Sequence, residues 1–347
     1  MKAWEITKIT DLHTDNEPLS QTERPKPEPR AGEVLLRVLT CGICHTELDE
    51  IEGRTPPNSF PRIPGHQVIG EVVTLGEGCI LRQKGQRLGV AWIYSACGSC
   101  AFCKRGEENL CSVFRATGRD ADGGYAEYMV VPEKFTVNIP EVFDEAEAAP
   151  LLCAGAVGYR ALRLTHLQNG QSIGLMGFGA SAHLVLKILG YAYPDSRVLV
   201  FARNPEERKF AKQEGAFWCG DIDEEPPERV QAIIDTTPAW KPVLASLNNL
   251  LPGGRLVINA IRKEEADKHY LLYTDYNKHL WMEKEIKSVA NVTHADVEAF
   301  MQLAAEVPIH PVYEEYMFHD ANRALHDLKH KKKRGAKVLR VAMPSSD

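Results

Sequence analysis

The sequence predicts an α/β protein, a doubly wound parallel sheet preceded by a β-rich unit, in a chain of 347 residues. Three observations predict it. Short apolar runs punctuated by Gly and Pro fill the chain up to about residue 150. From about 155 to 290, strand-like and helix-like runs alternate, the order that builds a parallel sheet with helices on its faces. A glycine-rich turn stands where the first of those strands meets the first helix. The length agrees, since roughly 100–200 residues make a domain.

In the first part, Val34 to Leu39, Val68 to Leu75, Arg87 to Trp92 and Tyr125 to Val131 read as strands. Pro61, Pro64-Gly65, Gly76, Gly78 and Gly123-Gly124 separate them, which suggests a compact barrel or sandwich. Pro25, Pro27 and Pro29 mark an extended surface segment before the first strong strand. In the second part, Ser172 to Met176 is a strand, Ala182 to Leu189 a helix and Arg197 to Ala202 a strand. A helix from Pro205 to Glu214 is stopped by Gly215. Gln231 to Asp235 is a third strand, and Arg255 to Ala260 a fourth, entered by the turn Pro252-Gly253-Gly254. In the third part, Ala295 to Glu306 is a helix behind the N-cap Thr293. Asp320 caps a second helix, Ala321 to Lys333, ended by Gly335, and Val338 to Val341 is a last strand. The basic run Lys331 to Arg334 reads as a solvated helix end complementing the helix dipole.

Composition narrows the function. Apolar residues are 44% and charged residues 25%, as in globular proteins, and the net charge of −6 gives no basic excess for nucleic acid or an anionic membrane. No apolar run approaches the ~20 residues of a membrane span, and Met1-Lys2-Ala3-Trp4-Glu5 opens no signal peptide. The expectation is a cytoplasmic protein with no nucleic-acid or membrane partner.

The nine cysteines carry the chemistry. An odd number in a large, signal-free chain argues against a disulfide framework. Cys97, Cys100, Cys103 and Cys111 have the spacing C-x2-C-x2-C-x7-C, and Gly98 and Gly106 allow a tight path between them. Four thiolates suit a closed tetrahedral zinc, hence a structural one. A ferredoxin-type iron–sulfur run closes after three residues with Cys-Pro, whereas here seven residues intervene and Ser112 follows. Other candidate ligands are scattered: Cys44, His66 after Pro64-Gly65, and Cys153 in an apolar run. Two thiolates, an imidazole and one free position would make a catalytic zinc. Spacing alone does not single out this set, because a His in a turn and a Cys in a core are commoner.

Gly177-Phe178-Gly179-Ala180-Ser181-Ala182 is G-x-G-x-x-A between a strand and a helix, the context of a dinucleotide fingerprint. Gly177 allows the turn, Gly179 admits a pyrophosphate to the backbone, and Ala182 lets helix and strand pack. An acid for ribose hydroxyls is missing at the end of the second strand, where Ala202-Arg203-Asn204 stands instead. A guanidinium suits a 2′-phosphate, and Arg208 a helical turn on is a second candidate. NADP(H) is favoured, with NAD(H) as the other possibility.

Together these segments carry a family resemblance along the whole chain. Gly42-Ile43-Cys44-His45-Thr46, Pro64-Gly65-His66-Gln67-Val68-Ile69-Gly70, the four-cysteine lobe, Asp122 to Tyr128, the Cys153 segment and the glycine turn fall in family order. The chain resembles the zinc-dependent alcohol dehydrogenases of the medium-chain dehydrogenase/reductase superfamily. Leu151-Leu152-Cys153-Ala154-Gly155 and Gly177 to His183 are most similar to a bacterial subgroup near the cinnamyl-alcohol type. The resemblance implies a GroES-like catalytic domain over 1–153, a Rossmann domain over 154–293, and a segment 294–347 returning to the catalytic domain. It implies two zinc ions per chain, the catalytic one on Cys44, His66 and Cys153. Thr46 matches the hydroxyl that starts a proton relay, and Glu47 the carboxylate that orients His66. Cys41 is then a buried thiol rather than a ligand. Two positions depart from the family: Gln67 replaces a frequent Glu, and Asp49 replaces a frequent His at the relay's end, so that Asp49, the nicotinamide ribose with water, or His45 releases the proton. His45 falls where relatives face cofactor phosphate. Trp92 falls near an aromatic that walls the alcohol pocket, with Ile261, Leu280 and Trp281 as further lining candidates. Arg334 and Lys337 flank Ala336, where relatives place an Arg on the cofactor.

The expected activity is hydride transfer between a primary alcohol or its aldehyde and a nicotinamide cofactor, by a homo-oligomer built on the nucleotide-domain sheet. Two alternatives stay open: a zinc-free quinone or enoyl reductase of the same fold, which lacks the scattered ligand set, and a non-enzymatic zinc-ribbon protein, which leaves the Gly177 turn unexplained.

Overall fold

The computed structural model describes residues 1–307, 309–331 and 335–343. The chain divides into two units: residues 1–156 with those from Val292 onward, and residues 157–291.

The first unit is built on a seven-stranded sheet around the strand Glu33–Ile43. Val68–Leu75 pairs antiparallel along one side of it. Along the other side, Tyr128–Pro132 pairs with its first half and Ala336–Arg340 with its second. Arg87–Val90 and Thr136–Asn138 extend one edge, and Tyr313–Met317 the other. The C-terminal strands therefore complete the sheet that the N-terminal third begins. The core below it joins Leu36, Val38 and Val72 to Ile51 and to Ala324 and Leu325 of the helix Ala321–His330.

The second unit is a six-stranded parallel sheet. Its order runs Trp218–Gly220, Val198–Phe201, Ile173–Met176, Val230–Asp235, Leu250–Ile258 and Glu285–Ser288. The four central strands are short and mostly apolar because both faces are covered. Helices Ala180–Ala192, Pro205–Gln213 and Lys241–Asn249 supply the cover.

Several boundaries differ from the sequence expectation. Tyr125 is fully buried in a loop, its N–H on Pro64 O, and the strand starts at Tyr128. Pro252-Gly253-Gly254 does not precede its strand. It lies inside Leu250–Ile258, where the register with the neighbouring strand shifts between Val230 and Ala232. The helix from Ala321 ends at His330, and Asp320 stands at its N-cap without a side-chain bond. Lys332 to Arg334, and with them part of the basic run, lie outside the described residues. Thr293, by contrast, caps the helix His294–Glu306 in a reciprocal box with Asp296. Among the described residues no helix is long and apolar enough to cross a membrane.

Candidate metal and cofactor sites

Sheet register brings two scattered residues together. Cys41 lies opposite Val68 in the antiparallel pair, so extending that register past the strand ends sets Ile43 opposite His66, with Cys44 the next residue along. Cys44 then caps the seven-residue helix His45–Ile51, taking the Thr46 N–H on its Sγ at 3.3 Å. The third residue, Cys153, sits in a π-helical turn, Leu151–Gly155, that follows Pro150. That turn packs tightly: a Cβ on Gly155 would lie 2.3 Å from the fully buried Phe300 ring. The result is a convergent set. His66 Nε2 stands 3.5 Å from Cys44 Sγ and 3.4 Å from Cys153 Sγ. Ligands on one tetrahedral zinc, with Zn–S near 2.3 Å and Zn–N near 2.0 Å, are separated by about 3.5–3.8 Å.

Glu47 is fully buried on the same helix. Its Oε1 accepts from His66 Nδ1 at 2.6 Å and its Oε2 from the Cys44 N–H at 2.8 Å. This fixes the tautomer that leaves Nε2 free for a metal. Burial acts to lower the His66 pKa, but the charges of Glu47 and Cys44 outweigh it and hold the ring well above its usual value. The Cys44 thiol is pushed up by its bond with the Cys153 sulfur, then by burial, then by Glu47. A divalent cation among these groups reverses that logic and deprotonates the thiols. The donor set therefore fits zinc, with three ligands and an open fourth position.

Cys97, Cys100, Cys103 and Cys111 form a second cluster, with Cys97 and Cys103 Sγ atoms 3.8 Å apart, one S–S edge of such a tetrahedron. Gly98 and Gly106 both take φ +71, which is why glycine stands there. The backbone N–H groups of Ser99 and then Cys100 lower the Cys97 thiol to about 6, favouring a thiolate at neutral pH.

The remaining candidates near the open set behave differently from one another. Thr46 is 9% exposed beside Cys44. His45 is exposed. Asp49 is buried and paired with the Arg54 guanidinium, so its carboxylate already has a fixed partner. Cys41 is fully buried. Gln67 is buried against Gly42, its Nε2 without a hydrogen-bond partner. Trp92 is half-buried, its ring 5.1 Å from Phe114 and under the Arg119 guanidinium. Sequence reasoning missed Glu50, a buried acid on the Glu47 helix with neither oxygen partnered. Burial and then the charge of Glu47 push its pKa well up. No sequence signal announced it, because the burial of that helix from Thr46 to Ile51 is seen only in the fold.

In the second unit, Gly177 (φ +81) ends the first strand and its N–H bonds Phe201 O. A Cβ there would press on Thr236 Oγ1 at 2.9 Å and Thr237 Cγ2 at 3.0 Å. A Cβ on Gly179 would meet nothing within 4 Å, so the backbone is open above the turn. Gly179 is the N-cap of Ala180–Ala192 and offers no capping side chain, which leaves the first helical N–H groups for an anion. Phe178 and Ala182 are buried beneath. This cradle fits a dinucleotide pyrophosphate. Sequence reasoning missed Asn259, whose Nδ2 reaches Ser181 Oγ in the turn at 3.2 Å.

At the second strand's end, Ala202 is buried and Arg203 is exposed, its guanidinium with no hydrogen-bond or ion-pair partner among the described residues. Arg208 Nη1 donates to Ala202 O, Arg203 O and the Asp221 carboxylate, so this side chain also buttresses the strand end. Asn204 Oδ1 caps the next helix through the Glu206 N–H. Ile261, Leu280 and Trp281 are exposed in this unit. Lys337 is buried and bonded to Glu314 and the Tyr316 hydroxyl, and Arg334 lies outside the described residues.

Residues 30–141 match the alcohol dehydrogenase GroES-like domain. The chain is 38% identical over 346 residues to a probable alcohol dehydrogenase AdhA of Mycobacterium tuberculosis (strain CDC 1551 / Oshkosh), covering 98% of this chain and 97% of that one. It is 30% identical over 335 residues to an alcohol dehydrogenase of Geobacillus stearothermophilus, covering 93% and 95%. Among solved structures it is similar to a cinnamyl alcohol dehydrogenase of Sorghum bicolor, with TM-score 0.81, 25% identity, and 100% and 99% of the two chains covered.

Proposed function

Because this chain belongs to the zinc-dependent alcohol dehydrogenases of the medium-chain dehydrogenase/reductase superfamily, we propose that it interconverts a primary alcohol and its aldehyde at a zinc on Cys44, His66 and Cys153, with NADP(H) favoured as cofactor. The observation that carries this reading is the convergence of two thiols and one imidazole, the imidazole oriented by buried Glu47. Zinc bound there supplies Lewis acidity, which lowers the pKa of a coordinated alcohol toward neutrality. Thr46, adjoining Cys44, takes up the hydroxyl proton and passes it on. The proton passes on to Asp49, buried on the same helix and paired with Arg54 through Oδ1, or to the nicotinamide ribose and water. Cys97, Cys100, Cys103 and Cys111 would hold a second zinc, which with four thiolates would serve the fold.

The glycine turn and the N-terminus of Ala180–Ala192 receive the pyrophosphate. The free Arg203 guanidinium and the absence of a carboxylate at Ala202 support a 2′-phosphate at the ribose.

The active form is a homo-oligomer, a dimer in its simplest form, in which the edge strand Glu285–Ser288 meets its copy. All four of its residues are exposed. Beside it lie exposed Tyr276, Trp281 and Met282. Antiparallel self-pairing about Ile286 sets Glu285 opposite the partner copy's Lys287, opposite charges at both ends of the pair.

Zinc per chain, measured together with turnover of an alcohol and aldehyde panel with both nicotinamides, tests the reading. Two zinc ions with alcohol–aldehyde turnover are expected. One zinc without turnover leaves a zinc-binding protein, and none, with quinone or enoyl reduction, leaves the zinc-free reductase.

A further inference from the structure

The parallel sheet of the second unit reverses its winding between Ile173–Met176 and Val230–Asp235. Later strands run outward on opposite sides of this pair. Loops that leave such a pair diverge and open a crevice at the carboxyl ends of the strands. One wall of that crevice is the Gly177 turn. The other is Thr236-Thr237, whose hydroxyl and methyl groups define the space beside Gly177. Thr236 is pinned to the first strand, its N–H and Oγ1 both donating to Met176 O, at 2.9 Å and 3.1 Å.

Behind this wall is a buried ion pair that the reading so far does not use. Asp235 is fully buried, and Lys263 has a side chain only 8% exposed. Asp235 Oδ1 accepts the Thr237 N–H at 2.9 Å and the Thr237 hydroxyl at 2.7 Å, and Oδ2 accepts Lys263 Nζ at 2.6 Å. The same ammonium donates to Thr237 O at 2.8 Å and Ala239 O at 2.9 Å, so its three protons are all engaged. Lys263 belongs to the loop after Leu250–Ile258. That loop begins with Asn259, which donates its N–H to Asp235 O and its amide to Ser181 in the glycine turn. Three strand-end loops thus close on one charge pair.

A pair this deep adds little net stability, because desolvation offsets its attraction, and an apolar pair of similar volume serves a core equally well. Its distinctive property is direction. The ammonium fixes two carbonyls and a carboxylate, and the carboxylate fixes both donors of Thr237.

We propose that Lys263 is a positioning residue for the nicotinamide cofactor, holding the Thr236-Thr237 wall in register with the glycine turn through Asp235. The inference rests on the reading of this unit as the cofactor-binding one, and it adds a residue outside both the glycine turn and Arg203. The crevice serves the part of the cofactor common to NAD(H) and NADP(H), so both must feel its loss equally.

The test is equilibrium binding of NADPH and NADH by nucleotide fluorescence, with zinc content and melting temperature measured on the same samples. Lys263→Met is expected to weaken both dinucleotides by the same factor, about 10- to 100-fold for a misplaced wall, with two zinc ions retained. Lys263→Arg restores most of the affinity. The double variant Asp235→Asn with Lys263→Met leaves no lone buried charge. It is expected to melt near the parent and still bind weakly, which separates positioning from stability. A double variant that melts like the parent and binds both dinucleotides at the parental Kd overturns the inference. A parent that binds neither dinucleotide overturns the cofactor reading itself.

Discussion

In the proposed reading Thr46 and Cys153 divide the chemistry of the open site between a hydroxyl and a thiolate, and removing either should leave the four-cysteine cluster undisturbed. Thr46→Val keeps the shape and loses the proton acceptor, so alcohol oxidation should fall by about 10²–10⁴-fold at unchanged zinc content. A rate within about threefold of the parent would place Thr46 outside the relay. Cys153→Ala should abolish turnover and leave one zinc in a folded chain, whereas Cys103→Ala should lower the melting temperature, because a structural zinc contributes directly to folding free energy. Arg203→Ala should weaken NADP(H) by roughly 10–150-fold, the worth of one charge-assisted bond, and leave NAD(H) almost unchanged. The check is kcat/KM for each cofactor at fixed ionic strength, since salt screens an exposed guanidinium. At this scale the sequence was unevenly legible. The four clustered cysteines declared themselves by spacing. Cys44, His66 and Cys153 did not, because a sheet register and a π-helical turn bring them together. The contacts of Arg208 were not legible either, since nothing in the sequence announces its bond to Asp221.

The short helix and turn elements explain which local patterns could be read. Thr293 was legible as a cap because the next acid, Asp296, stands three residues on. Pro252-Gly253-Gly254 read as a turn before a strand, yet pairing with Val230–Asp235 begins at Leu250 and resumes at Arg255 around it. The turn Leu151–Gly155 was not legible, because its geometry follows from Phe300 packing on Gly155 across more than a hundred residues. Gly155→Ala should therefore cost about 1–3 kcal/mol through overpacking, and by moving Cys153 it should empty the open site before the four-cysteine one. Parental stability and two bound zinc ions in that variant would refute the role given to the turn. The edge strand Glu285–Ser288 makes a separate prediction. Ile286→Lys places like charges on the axis of self-pairing and should convert the oligomer to monomers, as light scattering would report. An unchanged mass would move the interface elsewhere.

For the whole molecule, the alternation of strand and helix from about 155 to 290 was enough to call the parallel sheet, because buried parallel strands and their covering helices have distinct periods. The barrel or sandwich expected for the first unit was less well founded. Its central strand, Glu33–Ile43, takes partners from both ends of the chain, and no local pattern reports a pairing between Val338 and Gly42. That pairing also has a consequence in time. A ribosome delivers residues 157–291 in full before it delivers Ala336–Arg340, so the parallel-sheet unit can fold while the sheet carrying Cys41 still lacks its neighbour at Lys337–Arg340. During synthesis the metal-binding unit waits for its own far end, with Cys44, His66 and Cys153 already made but not yet locked in place. A stalled chain ending at Gly335 should accordingly protect the parallel-sheet unit from protease and leave the metal-binding unit cleavable. Extension through Arg340 should close it.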